Sequence, residues 1–253
     1  MALLNNSIKE MSERLQTLLK EYAPSMMLYG SVTMDDFQFG WSDIDFCLLT
    51  ERPISQELAE TLVFLRQTMT EEKDPNPFFR LFEGVIMTKK DLLTPGEGKI
   101  VYWGTSGQRI LSRFSLDPFT RMELIRDGIP VFGTDFRHLI SPPDRAEIVQ
   151  AIRRHYEAIR TYGDANAGWL LDTARCLYTL KTNQVIAKTK AGEWALEHHL
   201  CPNPETMEQA LQIRKNPKEL LNDASVKKWL NGLKPEIQRF ADVLEDALRS
   251  EIL

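Results

Sequence analysis

The stretch Ser42-Asp43-Ile44-Asp45-Phe46-Cys47-Leu48, preceded by Gly30-Ser31, limits what this chain can fold into more than any other. In a strand, side chains two apart share a face. Residues 43–48 therefore read as a strand with Asp43 and Asp45 on one side and Ile44, Phe46 and Leu48 turned into a core. Carboxylates placed this way stand roughly 7 Å apart, which suits one or two Mg²⁺ ions held between them and a polyphosphate. An Asp-x-Asp pair alone describes an exposed strand face or a capped turn equally well, so the argument rests on its neighbours.

Upstream, Ser25-Met26-Met27-Leu28-Tyr29 is a short apolar run ending at Gly30-Ser31, and reads as a strand feeding a tight turn. Glycine lets the backbone approach a phosphate and a serine hydroxyl donates to one. A helix starting near Ser31 would add unpaired N–H groups to such an anion site. Downstream, residues 79–87 form a later strand candidate interrupted by one acid, Glu83. A charge there is either an edge-strand residue paired with Arg80, or an acid beside Asp45 that serves as metal ligand, general base or both.

Strand, Gly-Ser, Ser-Asp-x-Asp and a carboxylate on a following strand together resemble the nucleotidyltransferase fold of the polymerase β superfamily. Farther on, the run Leu171-Asp172-Thr173-Ala174-Arg175-Cys176-Leu177-Tyr178, with Val185, Lys188 and Gly192-Glu193-Trp194-Ala195-Leu196, resembles the C-terminal helical domain of the streptomycin/spectinomycin adenylyltransferases. The resemblance implies an α+β protein. Its N-terminal part, residues 1–140, would be a polymerase β-like mixed sheet with helices, and residues 141–253 an α-helical bundle closing on substrate and nucleotide. It implies Mg²⁺-dependent transfer of AMP from ATP to a hydroxyl of an aminoglycoside, with pyrophosphate released. Asp43 and Asp45 would bind Mg²⁺, with Glu83 as further ligand or base. Gly30, Ser31, Ser42 and Lys188 would hold ATP, Lys188 matching a lysine that the family places on the phosphates. For a cationic acceptor between the domains, Asp164 and Asp172 are candidate acids and Trp103 a candidate stacking surface. The same transfer to another small molecule or to a protein side chain, and a non-catalytic nucleotide sensor, are the alternative readings.

Two segments depart from that family. Residues 32–42 carry Met34, Phe37, Phe39 and Trp41 where its members have a shorter, glycine-richer stretch, and residues 102–109 lack a clean match to a Gly-Glu-Trp-like segment.

A formal net charge of −5 over 253 residues argues against a nucleic-acid-binding face, which needs a basic patch, and agrees with a cationic substrate. With 43% hydrophobic residues the chain can bury two modest cores. No apolar run approaches the roughly 20 residues that span a bilayer, and the N-terminus lacks a charged region ahead of an apolar one. The expectation is a cytoplasmic monomer with no membrane or nucleic-acid partner. Cys47, Cys176 and Cys201 are scattered and imply no disulfide framework; His198-His199 are adjacent, so zinc-ligand spacing is missing. Gly96-Glu97-Gly98-Lys99 lacks the rest of a P-loop.

Apolar periodicity predicts helices over residues 8–22, 54–69, 118–128, 148–159, 169–180, 191–198 and 235–253. Asp74-Pro75-Asn76-Pro77 is a turn, residues 94–98 a loop, and Ser141-Pro142-Pro143 the domain boundary. The alternation of helices and strands predicts a mixed sheet covered on one face. Arg153-Arg154-His155 reads as the solvated face of its helix.

Overall fold

The computed structural model describes residues 2–71, 76–94, 96, 98–105 and 107–251. Asp74 and Pro75 of the expected turn, Pro95 and Glu97 of the expected loop, and Ser106 lie outside them. The chain divides into two compact units: one holds residues up to Thr33 together with Asp43–Pro142, the other Met34–Ser42 together with residues from Pro143 onward. The segment between the Gly-Ser turn and the Ser-Asp-x-Asp strand thus groups with the helices.

The first unit runs α1 (Ala2–Leu18), β1 (Ser25–Tyr29), β2 (Ile44–Thr50), α2 (Gln56–Glu71), β3 (Phe82–Thr88), α3 (Lys89–Leu93), β4 (Ile100–Gly104), β5 (Gly107–Leu111), α4 (Pro118–Asp127) and β6 (Ile129–Phe132). Its strands form one sheet in the order β5-β4-β3-β2-β1-β6. β2 and β3 are parallel and the other neighbours antiparallel, so the sheet is mixed. Parallel neighbours need a crossover element, and α2 supplies it, its first turn capped by the Ser55 hydroxyl, which accepts from the Leu58 N–H.

The sheet is buried on both faces rather than one. Ile44, Phe46, Leu48 and Ile86 have no exposed surface, and neither do Cys47 and Leu49, which alternate with them. Cys47, Leu49, Val85 and Met87 join Met27, Leu124 of α4 and Phe136 in one apolar layer. Strands covered on both sides read as nearly continuous apolar runs. The Asp-Ile-Asp alternation marks only where β2 leaves the core. All three cysteines are buried and free.

The second unit contains α5 (Arg145–Tyr162), α6 (Gly168–Thr182), α7 (Lys188–Glu197), α8 (Pro204–Lys215), α9 (Pro217–Leu220), α10 (Ala224–Asn231) and α11 (Lys234–Ser250). α5 opens just after Pro142-Pro143 with a capping box. The Asp144 carboxylate accepts from the Glu147 N–H at 2.8 Å, and Glu147 accepts from the Asp144 N–H at 3.0 Å. Such a cap contributes about 1 kcal/mol and sets where the helix begins. α6 packs against α5, α7, α8 and α11 and is the most buried element of the bundle. Among the described residues no helix is long and apolar enough to cross a membrane.

Candidate active site

β1 ends at Tyr29 and the chain turns at Gly30 in a single 3₁₀ turn, Gly30–Val32. The longer helix expected near Ser31 does not form, because the chain leaves for segment 34–42 after this one turn. Glycine is required here twice over. Its φ of +72° lies in the left-handed region, and a Cβ at this position would stand 2.4 Å from Asp45 Oδ2. The turn is therefore folded directly against the Asp45 carboxylate. Ser31 Oγ donates to the Asp43 carbonyl at 3.3 Å, fastening the turn to the residue just ahead of β2.

Asp43 immediately precedes β2 and Asp45 is its second residue, both half-buried. In the sheet register Asp45 pairs with Tyr29 on one side and with Glu83 on the other. Parallel pairing puts Asp45 and Glu83 on one face, about 4.8 Å apart along the hydrogen-bonding direction. Glu83 is gripped at both oxygens. Tyr102 of β4 donates its hydroxyl to Oε1 at 2.5 Å, and Thr105 donates its N–H at 3.2 Å and its hydroxyl at 3.1 Å to Oε2. Burial, then the hydrogen bond and charge of Glu83, then Asp45 and Asp43, push the Tyr102 phenol well above its ordinary pKa. Burial and then Asp45 do the same to Tyr29, so both phenols stay protonated and able to donate. Arg66 of α2 is buried and donates to the carbonyls of Arg80 and Phe82 at 2.9 and 3.0 Å, which holds the start of β3. Burial lowers its pKa, against the opposing charges of Glu83 and Asp43. Arg66 is thus a cation that Glu83 feels, where the sequence offered Arg80.

The acids supply hard oxygen donors only. Among the described residues no three His, Cys, Asp or Glu side chains converge to hold one metal ion. Mg²⁺ ordinarily takes one or two carboxylates and completes its shell with phosphate and water rather than with an all-protein cage. Asp43 and Asp45 fit that requirement.

Of the other expected site residues, Trp103 belongs to the sheet unit and Ser42, Asp164, Asp172 and Lys188 to the helical unit. Ser42 is buried with the helical unit, its Oγ accepting from the Gln38 N–H at 3.0 Å. Trp103 has no exposed surface and packs edge-on against Phe46 at 5.5 Å. It is a core residue, and the stacking surface expected of it is not there. Asp164 is exposed in the loop between α5 and α6. Asp172 of α6, by contrast, is 6% exposed. His155 Nδ1 and Arg175 Nη2 each lie 3.0 Å from its carboxylate, and Lys188 Nζ lies at 3.5 Å. Burial pushes this carboxyl up, but Lys188, Arg175 and His155 together outweigh it and hold the group well below the usual range. Asp172 therefore meets the protein's own cations rather than offering itself to a substrate's. His155 belongs to this cluster, not to a solvated basic face. Lys188, the first residue of α7, keeps about a third of its side chain exposed.

Residues 138–246 match the model of the aminoglycoside adenylyltransferase C-terminal domain. The crystal structure of the spectinomycin adenyltransferase AAD(9) from Enterococcus faecialis, with ATP and spectinomycin, superposes with a TM-score of 0.67 at 18% sequence identity, covering 92% of this chain and 99% of that one. The first match describes the domain that residues 138–246 form, and the second shows the fold. The fold is that of AAD(9), a mixed sheet followed by a helical domain. No curated protein sequence matches the chain.

Sequence reasoning missed Tyr102, Thr105, Arg66 and Arg175. Tyr102 and Thr105 lie in the segment that departs from the family, where alternation of Tyr102 with the apolar Val101 and Trp103 was the available signal.

Proposed function

We propose that the chain transfers AMP from ATP to a hydroxyl of a small cationic acceptor of the aminoglycoside type, releasing pyrophosphate. The observation that carries this reading is the parallel register setting Glu83 beside Asp45, with the Gly30 turn folded on Asp45. The helical-domain match supports the family chemistry, and the ligands seen with AAD(9) support ATP and the acceptor class.

Asp43 and Asp45 would hold Mg²⁺, which when bound offsets the charge of the triphosphate and polarises the α-phosphorus. Gly30 keeps the backbone low enough for a phosphate to approach, and Ser31 exchanges the Asp43 carbonyl for a phosphate oxygen. A sugar hydroxyl is a poor nucleophile at neutral pH, so Glu83 takes its proton as the oxygen attacks the α-phosphorus and the bond to the pyrophosphate oxygen breaks. General-base help of this kind contributes about 10²–10⁴-fold. Tyr102 holds Oε1 throughout, whereas the acceptor hydroxyl displaces the Thr105 donors from Oε2. In the helical unit, Lys188, steadied by Asp172, is the proposed nucleotide ligand, and Asp164 the remaining acid proposed for the acceptor.

Incubation with ATP and Mg²⁺ against a panel of aminoglycosides, read by mass spectrometry and pyrophosphate release, tests the reading. One acceptor heavier by an adenylyl group supports it; ATP bound without transfer to any of them overturns it.

A further inference from the structure

Connecting segments run over the surface and rarely bury charge, yet segment 34–42 does. Asp36 is 6% and Arg214 of α8 4% exposed, and Arg214 Nη2 donates to Asp36 Oδ2 at 2.8 Å. The same nitrogen reaches the Asp36 carbonyl at 3.3 Å. Arg214 Nε donates to Thr189 Oγ1 at 3.0 Å, and the Thr189 N–H donates to Asp36 Oδ2 at 3.3 Å. Three residues close a ring of hydrogen bonds, all within the helical unit. Opening a buried pair by removing one partner leaves a desolvated charge behind, so the segment stays pinned while α7 and α8 hold. Beyond the pin, the N–H groups of Trp41 and Ser42 both donate to the Gln38 carbonyl, and Ser42 Oγ accepts from the Gln38 N–H. This stiffened run ends one peptide bond from Asp43. At its other edge the pin includes Thr189, the residue after Lys188.

The proposed chemistry uses none of Asp36, Thr189 and Arg214. We propose that Arg214 is a positioning residue for Asp43, acting through Asp36 and the stiffened segment, so that α8 sets the carboxylate that meets Mg²⁺-ATP. The proposal rests on the reading of Asp43 as that ligand. A planar guanidinium forks between Asp36 and Thr189 in a way that a lysine cannot, although lysine keeps the charge.

Arg214→Lys in the full chain tests it, with hydrogen exchange and calorimetry on the same protein. Amide exchange across residues 34–42 should quicken at least tenfold while α5, α6 and α11 exchange as in the wild type. Affinity for ATP with Mg²⁺ should fall about tenfold, and affinity for ATP without Mg²⁺ should change less than twofold. A loosened segment with unchanged Mg²⁺-ATP affinity overturns the proposal, since the ring is then only structural; unchanged exchange overturns it as well. If Arg214→Lys melts below the assay temperature, Thr189→Val removes one acceptor while keeping both charges, and should show the same contrast at about threefold. A wild-type protein that binds no Mg²⁺-ATP overturns the proposed function instead, and the exchange measurement remains readable beside it.

Discussion

Asp45 stands beside Glu83 on the neighbouring strand, acid against acid, whereas Asp172 stands buried among Lys188, Arg175 and His155. Like charges set a strand's width apart repel, and an arriving cation relieves them. A buried acid held by a lysine, an arginine and a histidine gains nothing from one more cation, and losing it leaves those partners without their counter-charge. On the proposed function, the contrast separates carboxylates that meet a ligand from a carboxylate that holds helices together. Neutralising one of the first kind should remove activity and spare the fold, and neutralising the second should do the reverse in order of severity.

The hardest test of that contrast is Asp45→Asn. It should reduce transfer by roughly 10²–10³-fold, as lost transition-state electrostatics do, while leaving Ile44, Phe46 and Leu48 packed and the thermal midpoint within about 3 °C of the wild type. Wild-type turnover at saturating Mg²⁺ would break the comparison at its acidic end. Next, Glu83→Gln should slow single-turnover transfer about 10²-fold with ATP and acceptor affinities kept. A fall in Mg²⁺-dependent ATP affinity alongside the rate would reassign Glu83 as a metal ligand.

Asp172→Asn should destabilise the protein by about 2–4 kcal/mol, toward the lower figure because its partners are partly exposed, read as a loss of some 4–16 °C in the thermal midpoint. Its pH dependence has a definite sign. The Asp172 carboxyl is held below its unfolded value of about 3.9, so its stabilisation is fully present above that pH and is lost as pH falls further. The gap between wild type and Asp172→Asn should therefore shrink as pH falls below about 4 in urea titrations. A gap that stays constant on acidification would mean that Lys188, Arg175 and His155 do not hold this group below its ordinary value. The smallest effect belongs to Tyr102→Phe, which removes one donor from Glu83 and leaves the ring stacked near Phe114. A few-fold loss in kcat with about 1 kcal/mol of stability is expected, and no change in kcat would show that the Tyr102 bond does not orient the base.

The acidic end of the sheet was legible in the sequence because period-two alternation holds where β2 emerges from the core. Burial of the second face was not, since Cys47 and Leu49 continue the apolar run without a break. β4 and β5 escaped because each is short and they meet at Gly104 and Gly107. In α8 the stripe of Met207, Ala210 and Leu211 includes Thr206 and Arg214, polar residues that a periodicity reading assigns to solvent but that are buried. Arg214 is buried because Asp36 is, and nothing local in either segment announces a partner so distant in the chain. The Asp172 cluster was hidden for the same reason, since its cations come from α5 and α7 as well as from α6.

That distance has a consequence for how the chain is made. Asp36 and Arg214 are 178 positions apart, and at 5–20 residues per second a ribosome needs roughly 10–35 s to cover that interval. For all of that time Asp36 lacks the guanidinium that it pairs with in the folded chain. The nascent sheet can pair β1 with β2 and receive β3, but the link between β1 and β2 is held open until α8 emerges. On the proposal made above, Asp43 reaches its final setting only once α8 has left the ribosome.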